Sequence, residues 1–233
     1  MSSKRIYWLT QNISNLPKND VWLTPAELGQ LSKFKILRRK FDWKLGRWTA
    51  KTGIIEYLKK TSHTRRYPEI EIRPAADGAP EAYIGNRIAS FTISLSHRSG
   101  TALCTIDPDG LCIGCDIEKV ERRSAAFIED YFTINEKDWT LGGSDKDRII
   151  FSNVIWSAKE SALKMLREGL RLDTRLVEIQ IKNHEAGGDW ETFRVNYKKG
   201  NRTFYGCWKM IADLVITIVS PVDSFDLINL REI

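Results

Sequence analysis

No segment of this sequence is apolar enough to cross a membrane as a helix. Such a helix needs about 20 consecutive apolar residues, and the longest apolar run, residues 211–219, is interrupted by Asp213 and Thr217. Residues 1–8 contain basic side chains, but no apolar stretch follows them, so we expect no secretory signal. The sequence therefore predicts a cytoplasmic protein that does not associate with membranes.

Cysteine is also scarce, with four residues in a chain of 233. Cys112 and Cys115 form a CxxC pair, which can indicate a redox or zinc site. If this segment is a strand, however, the two sulfur atoms point to opposite faces, because side chains alternate along a strand. Cys104 and Cys207 add no second pair at the spacing of metal ligands. The pattern favours buried, small apolar side chains over redox or zinc chemistry.

The charge balance is moderately basic. The chain has 36 Lys and Arg against 30 Asp and Glu, a net charge of +6 at pH 7, within a globular composition of 42% hydrophobic and 28% charged residues. This excess is consistent with simple solubility, or with a polyanionic partner such as a phosphate compound, a nucleic acid or an acidic protein. Composition alone does not choose among these.

Helical and strand patterns alternate and predict an α+β fold. Thr24, Pro25 and Glu27 form a helix-start signal, and a basic helical pattern runs from there to about Leu58, broken or bent near Gly46. Beyond it we predict strands at 91–95 and 101–106, a connection at 96–100, a strand from 111, a capping box at 133–136, the longest helix at 147–167, and four strands within 177–219. Each half thus has a long helix followed by strands. This indicates a duplicated α+β unit, although no identity between the halves is strong enough to define a sequence repeat.

Two carboxylates lie one residue apart where the chain has the pattern of a buried strand. In a strand Asp116 and Glu118 share one face, about 7 Å apart, and Glu160 and Lys164 share one face of the long helix. If that helix packs across the strand, three carboxylates meet, with an ammonium group at their edge. Such a cluster needs a cation, and ligands that are all oxygen select Mg²⁺ or Mn²⁺.

Each of these pairs also has a purely structural interpretation. The helical pair can be a surface salt bridge worth about a few tenths of a kcal/mol, and the strand pair can be the solvent face of an edge strand. A third element favours function over structure. Ser96 and His97, beside Arg98, have the hydrogen-bonding groups to hold a phosphate.

Four segments occur in an order that matches a known family: SLSHRSG (94–100), GCDIE (114–118), FTINEKDW (132–139) and WSAKESALK (156–164). Together they resemble the 4′-phosphopantetheinyl transferase superfamily, in its larger single-chain branch of the surfactin-synthetase-activating type. The combination of GCDIE with WSAKESALK is specific, whereas each segment alone is weak. The resemblance covers residues 24 to 220, with LGRWTAK (45–51) as a softer match.

The resemblance implies an enzyme of the holo-[carrier-protein] synthase type. Such an enzyme transfers the 4′-phosphopantetheine arm of coenzyme A to a serine of an apo acyl or peptidyl carrier protein, with Mg²⁺ (or Mn²⁺), and releases 3′,5′-adenosine diphosphate. The carrier is usually acidic, and neither nucleic acid nor membrane is a partner. The sequence does not indicate which carrier or pathway is served, whether for fatty acids or secondary metabolites.

The resemblance also implies a monomer built as a pseudo-dimer of two similar α+β subdomains, with the cofactor cleft between them. The predicted N-terminal subdomain, residues 1–112, carries the basic helix and the Ser-His strand turn. The predicted C-terminal subdomain, residues 113–233, carries the carboxylates and the contact with the carrier protein.

Individual roles follow from positions within the matching segments. The implied metal ligands are Asp116, Glu118 and Glu160; the implied catalytic residues are Glu160 and Lys164; the implied cofactor-binding residues are Ser96, His97, Lys164, Arg39, Arg47 and Asp116. In this scheme Lys164 contacts the pyrophosphate, and Ser96 with His97 lies near the 3′-phosphate. Glu160 accepts the proton of the attacking serine, directly or through a water. Arg39 and Arg47 represent a basic cluster whose members do not align individually.

Two positions depart from the family pattern. Ala79 stands where many relatives have a basic residue, so a cationic contact to coenzyme A is missing or comes from Arg73 or Arg87. Arg98 stands where relatives often have serine.

Two other functions stay open. A Mg²⁺-dependent nuclease would use clustered carboxylates and a lysine, but it would leave the Ser-His segment without a role. A catalytically silent relative would bind coenzyme A without transferring its arm. A nucleic-acid binder without a metal does not explain the acidic residues, because they would repel phosphates.

Overall fold

The computed structural model describes residues 4–61, 63–141, 144–181 and 189–231. The helices are α1 (Pro25–Leu31), α2 (Leu37–Lys60), α3 (Ala125–Tyr131), α4 (Ile134–Leu141) and α5 (Asp145–Met165). The strands are β1 (Lys4–Asn12), β2 (Ile70–Pro74), β3 (Pro80–Ile84), β4 (Arg87–Ile88), β5 (Thr92–Arg98), β6 (Thr101–Asp107), β7 (Gly114–Lys119), β8 (Val177–Ile181), β9 (Glu191–Tyr197), β10 (Arg202–Ile211), β11 (Leu214–Ser220) and β12 (Phe225–Asn229). These elements confirm the predicted α+β class. None of the described helices has the length and apolar character needed to cross a membrane.

The chain divides into two compact units, which are described one at a time. The first unit comprises Met1–Cys112 and Phe225–Ile233, and the second comprises Ile113–Ser224. Strand β12 therefore belongs to the first unit, where it pairs in parallel with β1.

The first unit packs α2 against a four-stranded sheet in the order β12-β1-β6-β5. Ala50 and Ile54 on the helix join Leu9 and Ile106 of the sheet in one buried cluster. A second sheet, in the order β2-β3-β4, lies next to β5 through β3. The hydrophobic core of this unit thus lies between one long helix and the sheet.

The second unit repeats this plan with a five-stranded antiparallel sheet in the order β7-β11-β10-β9-β8. Helix α5 crosses β7 and β11, and Ile155, Ala158 and Ala162 form its buried stripe. Gly114 lies where helix and strand approach each other most closely, because a Cβ atom there would collide with the backbone of Ser161. A glycine at the start of β7 therefore allows α5 to lie directly over the residues that follow it in the strand.

Helix α2 differs from its prediction. The helical pattern is interrupted at residues 32–36, between α1 and α2, and α2 continues through Gly46 without interruption, so the predicted break there is wrong. Glycine within a helix costs about 1 kcal/mol relative to alanine, and the burial of neighbouring Leu45 and Ala50 offsets this cost. With 24 residues against 21 in α5, α2 is also the longest described helix, which corrects the prediction for 147–167.

The connection between β5 and β6 is shorter than predicted. Strand β5 continues to Arg98, and only Ser99 and Gly100 form the turn, with φ of 49° and 74°. Two successive positive φ values are those of the type I′ turn that closes two-residue hairpins. Ser96 and His97 are therefore strand residues on opposite faces: Ser96 is buried and His97 is exposed.

The strand predicted from Leu111 begins three residues later, at Gly114. Leu111 and Cys112 are exposed, whereas Cys115 is buried within β7. All four cysteines, each within the described part of the chain, are free thiols. The two CxxC sulfur atoms differ because only Cys115 belongs to the strand.

A buried Lys–Glu pair anchors the first unit. Glu27, in the capping box of Thr24, accepts hydrogen bonds from the backbone of Thr24 at 2.9 Å and of Ile72 at 3.1 Å. The ammonium of Lys51 on α2 lies 2.5 Å from the same carboxylate. One glutamate thus ties together the start of α1, the middle of α2 and strand β2.

The second unit contains the same pair. Glu136, in the capping box of Thr133, accepts hydrogen bonds from the backbone of Thr133 and of Ile179, each at 2.7 Å. The ammonium of Lys159 on α5 lies 2.8 Å from it. This glutamate joins the start of α4, the middle of α5 and strand β8, as its counterpart joins α1, α2 and β2.

A short sequence repeat accompanies these pairs. Residues 48–51 are WTAK and residues 156–159 are WSAK, each ending on the buried lysine. The paired glutamates are offset by 109 residues and the lysines by 108. The repeat was missed in the sequence because four residues are too few to stand out without knowledge of the burial of their lysines.

Candidate functional site

Asp116 and Glu118 lie on the face of β7 that α5 covers. Asp116 is 2% exposed and Glu118 is 7% exposed, although β7 is an edge strand of its sheet. The interpretation of these carboxylates as the solvent face of an edge strand is therefore wrong. Two carboxylates buried under a helix need charged or hydrogen-bonding partners, and α5 provides several of them.

Both oxygens of Asp116 are bound by side chains of α5. Lys164 Nζ lies 2.8 Å from Oδ1 and also donates to the carbonyl of Cys115 at 3.0 Å. Ser157 donates to Oδ2 at 2.9 Å and lies at the same distance from the Thr217 hydroxyl. Burial is the largest single influence and lowers the pKa of Lys164, but the charges of Asp116, Cys115 and Glu160 and the hydrogen bond to Asp116 together outweigh it, so the net effect raises this pKa. The ammonium thus pairs with Asp116, which replaces the predicted surface salt bridge within the helix.

Glu118 is held by an arginine that the sequence did not single out. Arg123 Nη2 lies 3.1 Å from Glu118 Oε2, and Arg123 Nε donates to Asn153 Oδ1 at 2.9 Å. The guanidinium lies 4.9 Å from the centre of the Phe127 ring. Arg123 was missed because an arginine next to Arg122 in a connecting segment carries no distinguishing pattern.

Glu160 on α5 is the third carboxylate, and Asp116, Glu118 and Glu160 are together called the acidic group. Burial raises the pKa of Glu160 to about 7, and the charge of Asp116 acts in the same direction while that of Lys164 opposes it. Glu118 adds to the increase and Arg123 reduces it. The charges of the three carboxylates therefore influence one another, and the convergence of their oxygens on one cation stays a prediction. The α5 residues of this site are spaced four, three and four residues apart, which places them on one face of the helix: Asn153, Ser157, Glu160 and Lys164.

The donor set suits a hard divalent cation in composition. Three carboxylates occur with two cationic side chains, and burial together with the charges of Asp116 and Glu118 raises the pKa of Glu160, an effect that additional positive charge would oppose. As they stand, however, no three His, Cys, Asp or Glu side chains of the described residues are grouped to hold a metal ion. Lys164 and Arg123 bind two of the carboxylates instead. A divalent cation at this place would be held by oxygens of Asp116, Glu118 and Glu160 in exchange for these side-chain contacts.

A pocket of about 400 Å³ lies within the first unit and gathers several of the predicted cofactor residues. Its lining includes Arg39 and Arg47 from α2, Arg73 from β2, His97 from β5, and the aromatic rings of Phe34 and Trp43. Cationic groups beside flat aromatic surfaces suit an anionic ligand that carries a ring.

The pocket arginines differ in their surroundings. Arg47 stacks its guanidinium 3.8 Å from the centre of the Trp43 ring, and burial lowers the pKa of Arg47 to about 10, so it stays charged at neutral pH. Arg39 is exposed, and Arg73 is paired with Glu71 at 2.8 Å. A pocket with one exposed and two partly buried guanidinium groups retains positive charge for an incoming anion.

The other residues predicted to bind coenzyme A do not all lie at this pocket. Ser96 is buried on the face of β5 opposite His97, so the pair does not act through one face of the strand. Of the two candidates to replace the basic residue at position 79, Arg73 lines the pocket and Arg87 lies in β4. Ala79 itself lies between two residues that line the pocket, Gly78 and Pro80. A contact of Ser96 with a phosphate stays a prediction.

The comparison with protein families agrees with this geometry. The family model described as the 4′-phosphopantetheinyl transferase superfamily, ACPS, matches residues 112–219. This segment is just under half of the chain, and it contains β7, α5 and all three carboxylates. A search of curated proteins found no match. The match supports a transferase of phosphopantetheine, an activity for which coenzyme A is the donor.

Proposed function

We propose that this protein transfers the 4′-phosphopantetheine arm of coenzyme A to a serine of an apo acyl or peptidyl carrier protein, in a Mg²⁺-dependent reaction that releases 3′,5′-adenosine diphosphate. One observation carries the proposal. Three carboxylates from β7 and α5 lie in one electrostatic environment within the segment that matches the superfamily. Burial and the charge of Asp116 both disfavour the ionised form of Glu160, so the needs of the fold alone do not account for a third carboxylate at this place.

The acidic group holds the divalent cation in this proposal. The cation would neutralise charge on the pyrophosphate of coenzyme A when bound to Asp116, Glu118 and Glu160. Lys164, fixed by Asp116 and by the carbonyl of Cys115, places a point charge at the same edge. Glu160 accepts the serine proton directly or through a water, and a pKa of about 7 matches a base that works near neutral pH.

The pocket of the first unit binds the adenosine part of coenzyme A in this proposal. Arg39, Arg47 and His97 line this pocket and would contact phosphate oxygens, and Trp43 offers a flat surface next to them. Arg73 takes over the contact that Ala79 does not make. The larger single-chain type, with its pseudo-dimer and cofactor cleft, and the monomeric state belong to the same proposal. An acidic carrier is the partner that the net charge of +6 favours.

The direct test combines purified protein, coenzyme A and Mg²⁺ with a panel of apo carrier proteins, followed by intact mass measurement of each carrier. We expect one phosphopantetheine arm to be added to at least one carrier, together with 3′,5′-adenosine diphosphate in equal amount. The Glu160→Gln variant serves as the matched inactive control. No modified carrier across acyl and peptidyl types would contradict the proposal.

Two side experiments separate the alternatives. Calorimetry with coenzyme A that shows binding without transfer to any carrier would favour the silent relative. Cleavage of plasmid DNA by wild type but not by Glu160→Gln, with Mg²⁺ present, would favour the nuclease.

A further inference from the structure

Arg123 is fixed between the acidic group and the body of α5. Its Nη2 donates to Glu118 at 3.1 Å and its Nε to Asn153 at 2.9 Å, and the two charged side chains are only 12% and 10% exposed. Asn153 is itself fully buried and anchored, because its amide donates to the carbonyls of Glu121 and Ile149, each at 2.7 Å. The position of the guanidinium is therefore imposed by the fold rather than chosen from many surface rotamers.

The charges of the site nearly cancel without any ion. Asp116, Glu118 and Glu160 contribute three negative charges when ionised, and Lys164 and Arg123 contribute two positive charges. Of the two cations, Lys164 comes from the helix that also carries Glu160, whereas Arg123 comes from the segment between β7 and α3. A divalent cation that approaches Glu118 meets the charge of Arg123 at the same carboxylate.

We propose that Arg123 is an internal counter-cation that competes with the divalent cation for Glu118 and thereby sets the affinity of the acidic group for that cation. The inference rests on the proposed function, since it takes the three carboxylates as the ligands of the cation. When the cation binds Glu118, Arg123 keeps its hydrogen bond to Asn153 and its contact with Phe127. Arg123 is thus a positioning residue that acts through Glu118.

The direction in which the affinity for the cation changes, when Arg123 is removed, distinguishes this role from a merely structural one. If Arg123 only orients Glu118 for the cation, its removal weakens cation binding. If it competes, its removal strengthens binding, because one positive charge is lost near the ion. Even under water-like screening, the loss of one unit charge a few ångströms from a divalent ion corresponds to a change in affinity of about tenfold.

The experiment measures Mn²⁺ binding to the full chain by electron paramagnetic resonance of free Mn²⁺, without coenzyme A or carrier. We expect Arg123→Gln to bind Mn²⁺ about tenfold more tightly than wild type, and Arg123→Lys to stay close to wild type. Arg122→Gln is the matched control. It removes the same charge from the next position, where Arg122 is 70% exposed and pairs with Asp145 on the surface. Its affinity should change by less than about twofold.

The outcomes distinguish this inference from the proposed function. Unchanged or weaker Mn²⁺ binding by Arg123→Gln, with wild-type binding abolished by Glu118→Gln, overturns the counter-cation and leaves the cation site standing. If neither wild type nor Arg123→Gln binds Mn²⁺, the cation site itself fails and this inference fails with it. Should Arg123→Gln not fold, Arg123→Met, whose side chain can pack on Phe127, gives the same comparison.

Discussion

The two units of the chain share their framework but not their polar chemistry. Each has a long helix packed on a sheet, and in each a capping-box glutamate is buried against a lysine of that helix: Glu27 with Lys51, and Glu136 with Lys159. Only the second unit carries the acidic group. What recurs in both units serves the fold, and what occurs in one unit is available for function.

The strands show the difference position by position. Cys104 and Thr217 are each the fourth residue of the strand that follows the hairpin turn, β6 or β11. Leu9 lies opposite Cys104, and Asp116 lies opposite Thr217. An apolar residue of the first core thus occupies the place of a carboxylate in the second.

The other acidic positions are also neutral in the first unit. Two residues further along each strand, Gln11 corresponds to Glu118. In the helices, the residue directly after the shared lysine of WTAK and WSAK is Thr52 in the first unit and Glu160 in the second. A fold of this plan therefore does not require the carboxylates, which strengthens the case that they serve a ligand.

The largest expected effect is on the rate of arm transfer, which should fall after a substitution in α5 but not after one in α2. Glu160→Gln should lower the rate of arm transfer by about 10²–10⁴-fold, because a proton acceptor is lost, while the affinity for coenzyme A stays nearly unchanged. Intact mass of the carrier and calorimetry with coenzyme A measure the two quantities. Glu56→Gln, on the exposed side of α2, is the control and should transfer at the wild-type rate. Equal rates for Glu160→Gln and wild type at saturating Mg²⁺ would exclude the role of Glu160.

The next largest effect is on the free energy of unfolding, and it should be the same in both units. Lys51→Met and Lys159→Met each leave a fully buried glutamate without its ammonium partner, which costs about 3–5 kcal/mol of unfolding free energy. Urea unfolding, followed by tryptophan fluorescence, gives both values. A cost below about 1 kcal/mol for either lysine would show that the repeated pair is not a shared anchor of the fold.

A smaller effect depends on pH and should occur only in the second unit. Because the pKa of Glu160 is raised to about 7 from 4.5, the folded state binds this proton more tightly than the unfolded state does. The corresponding stability is present below pH 4.5 and is lost as the pH rises through 7. At pH 8 without divalent cations, Glu160→Gln should therefore be more stable than wild type by about 2 kcal/mol.

The control for this pH dependence is Thr52→Val in the first unit, which removes no ionisable group. Its change in stability should be the same at pH 5 and pH 8, by urea unfolding in EDTA. A stability difference between Glu160→Gln and wild type that did not vary with pH would contradict the raised pKa.

The smallest effect compares two equivalent hydroxyls. Ser157 donates to Asp116, whereas the Thr49 hydroxyl is buried and has no hydrogen-bond partner among the described residues. Ser157→Ala should cost about 1–2 kcal/mol of unfolding free energy, and Thr49→Val should be neutral or slightly stabilising. Equal costs for the two would mean that the hydroxyl of Ser157 has no special relation to Asp116.

Local patterns were enough to predict the parts of the molecule that depend on neighbours in sequence. The capping boxes at Thr24 and Thr133 follow from side chains three residues apart, and the shared face of Asp116 and Glu118 follows from strand alternation. Glu160 was predicted to lie near them on the assumption that the long helix packs on the strand. That assumption was correct because α5 has a clear buried stripe and Gly114 admits it.

Features that depend on distant partners could not be predicted. Strand β12 pairs with β1 from the opposite end of the chain, and the short strands β2, β3 and β4 have half-exposed patterns that resemble loops. Arg123 and Lys159 look like surface residues in the sequence, and only their partners Glu118 and Glu136 show that they are fixed in the interior.

The most direct test of the acidic group is a crystal structure of the protein with coenzyme A and Mn²⁺, with the metal located by anomalous scattering. We predict one Mn²⁺ peak about 2.2 Å from oxygens of Asp116, Glu118 and Glu160, with the pyrophosphate of coenzyme A against it. Bound coenzyme A with no Mn²⁺ at these oxygens, and with Asp116 and Glu118 still paired to Lys164 and Arg123, would contradict the account.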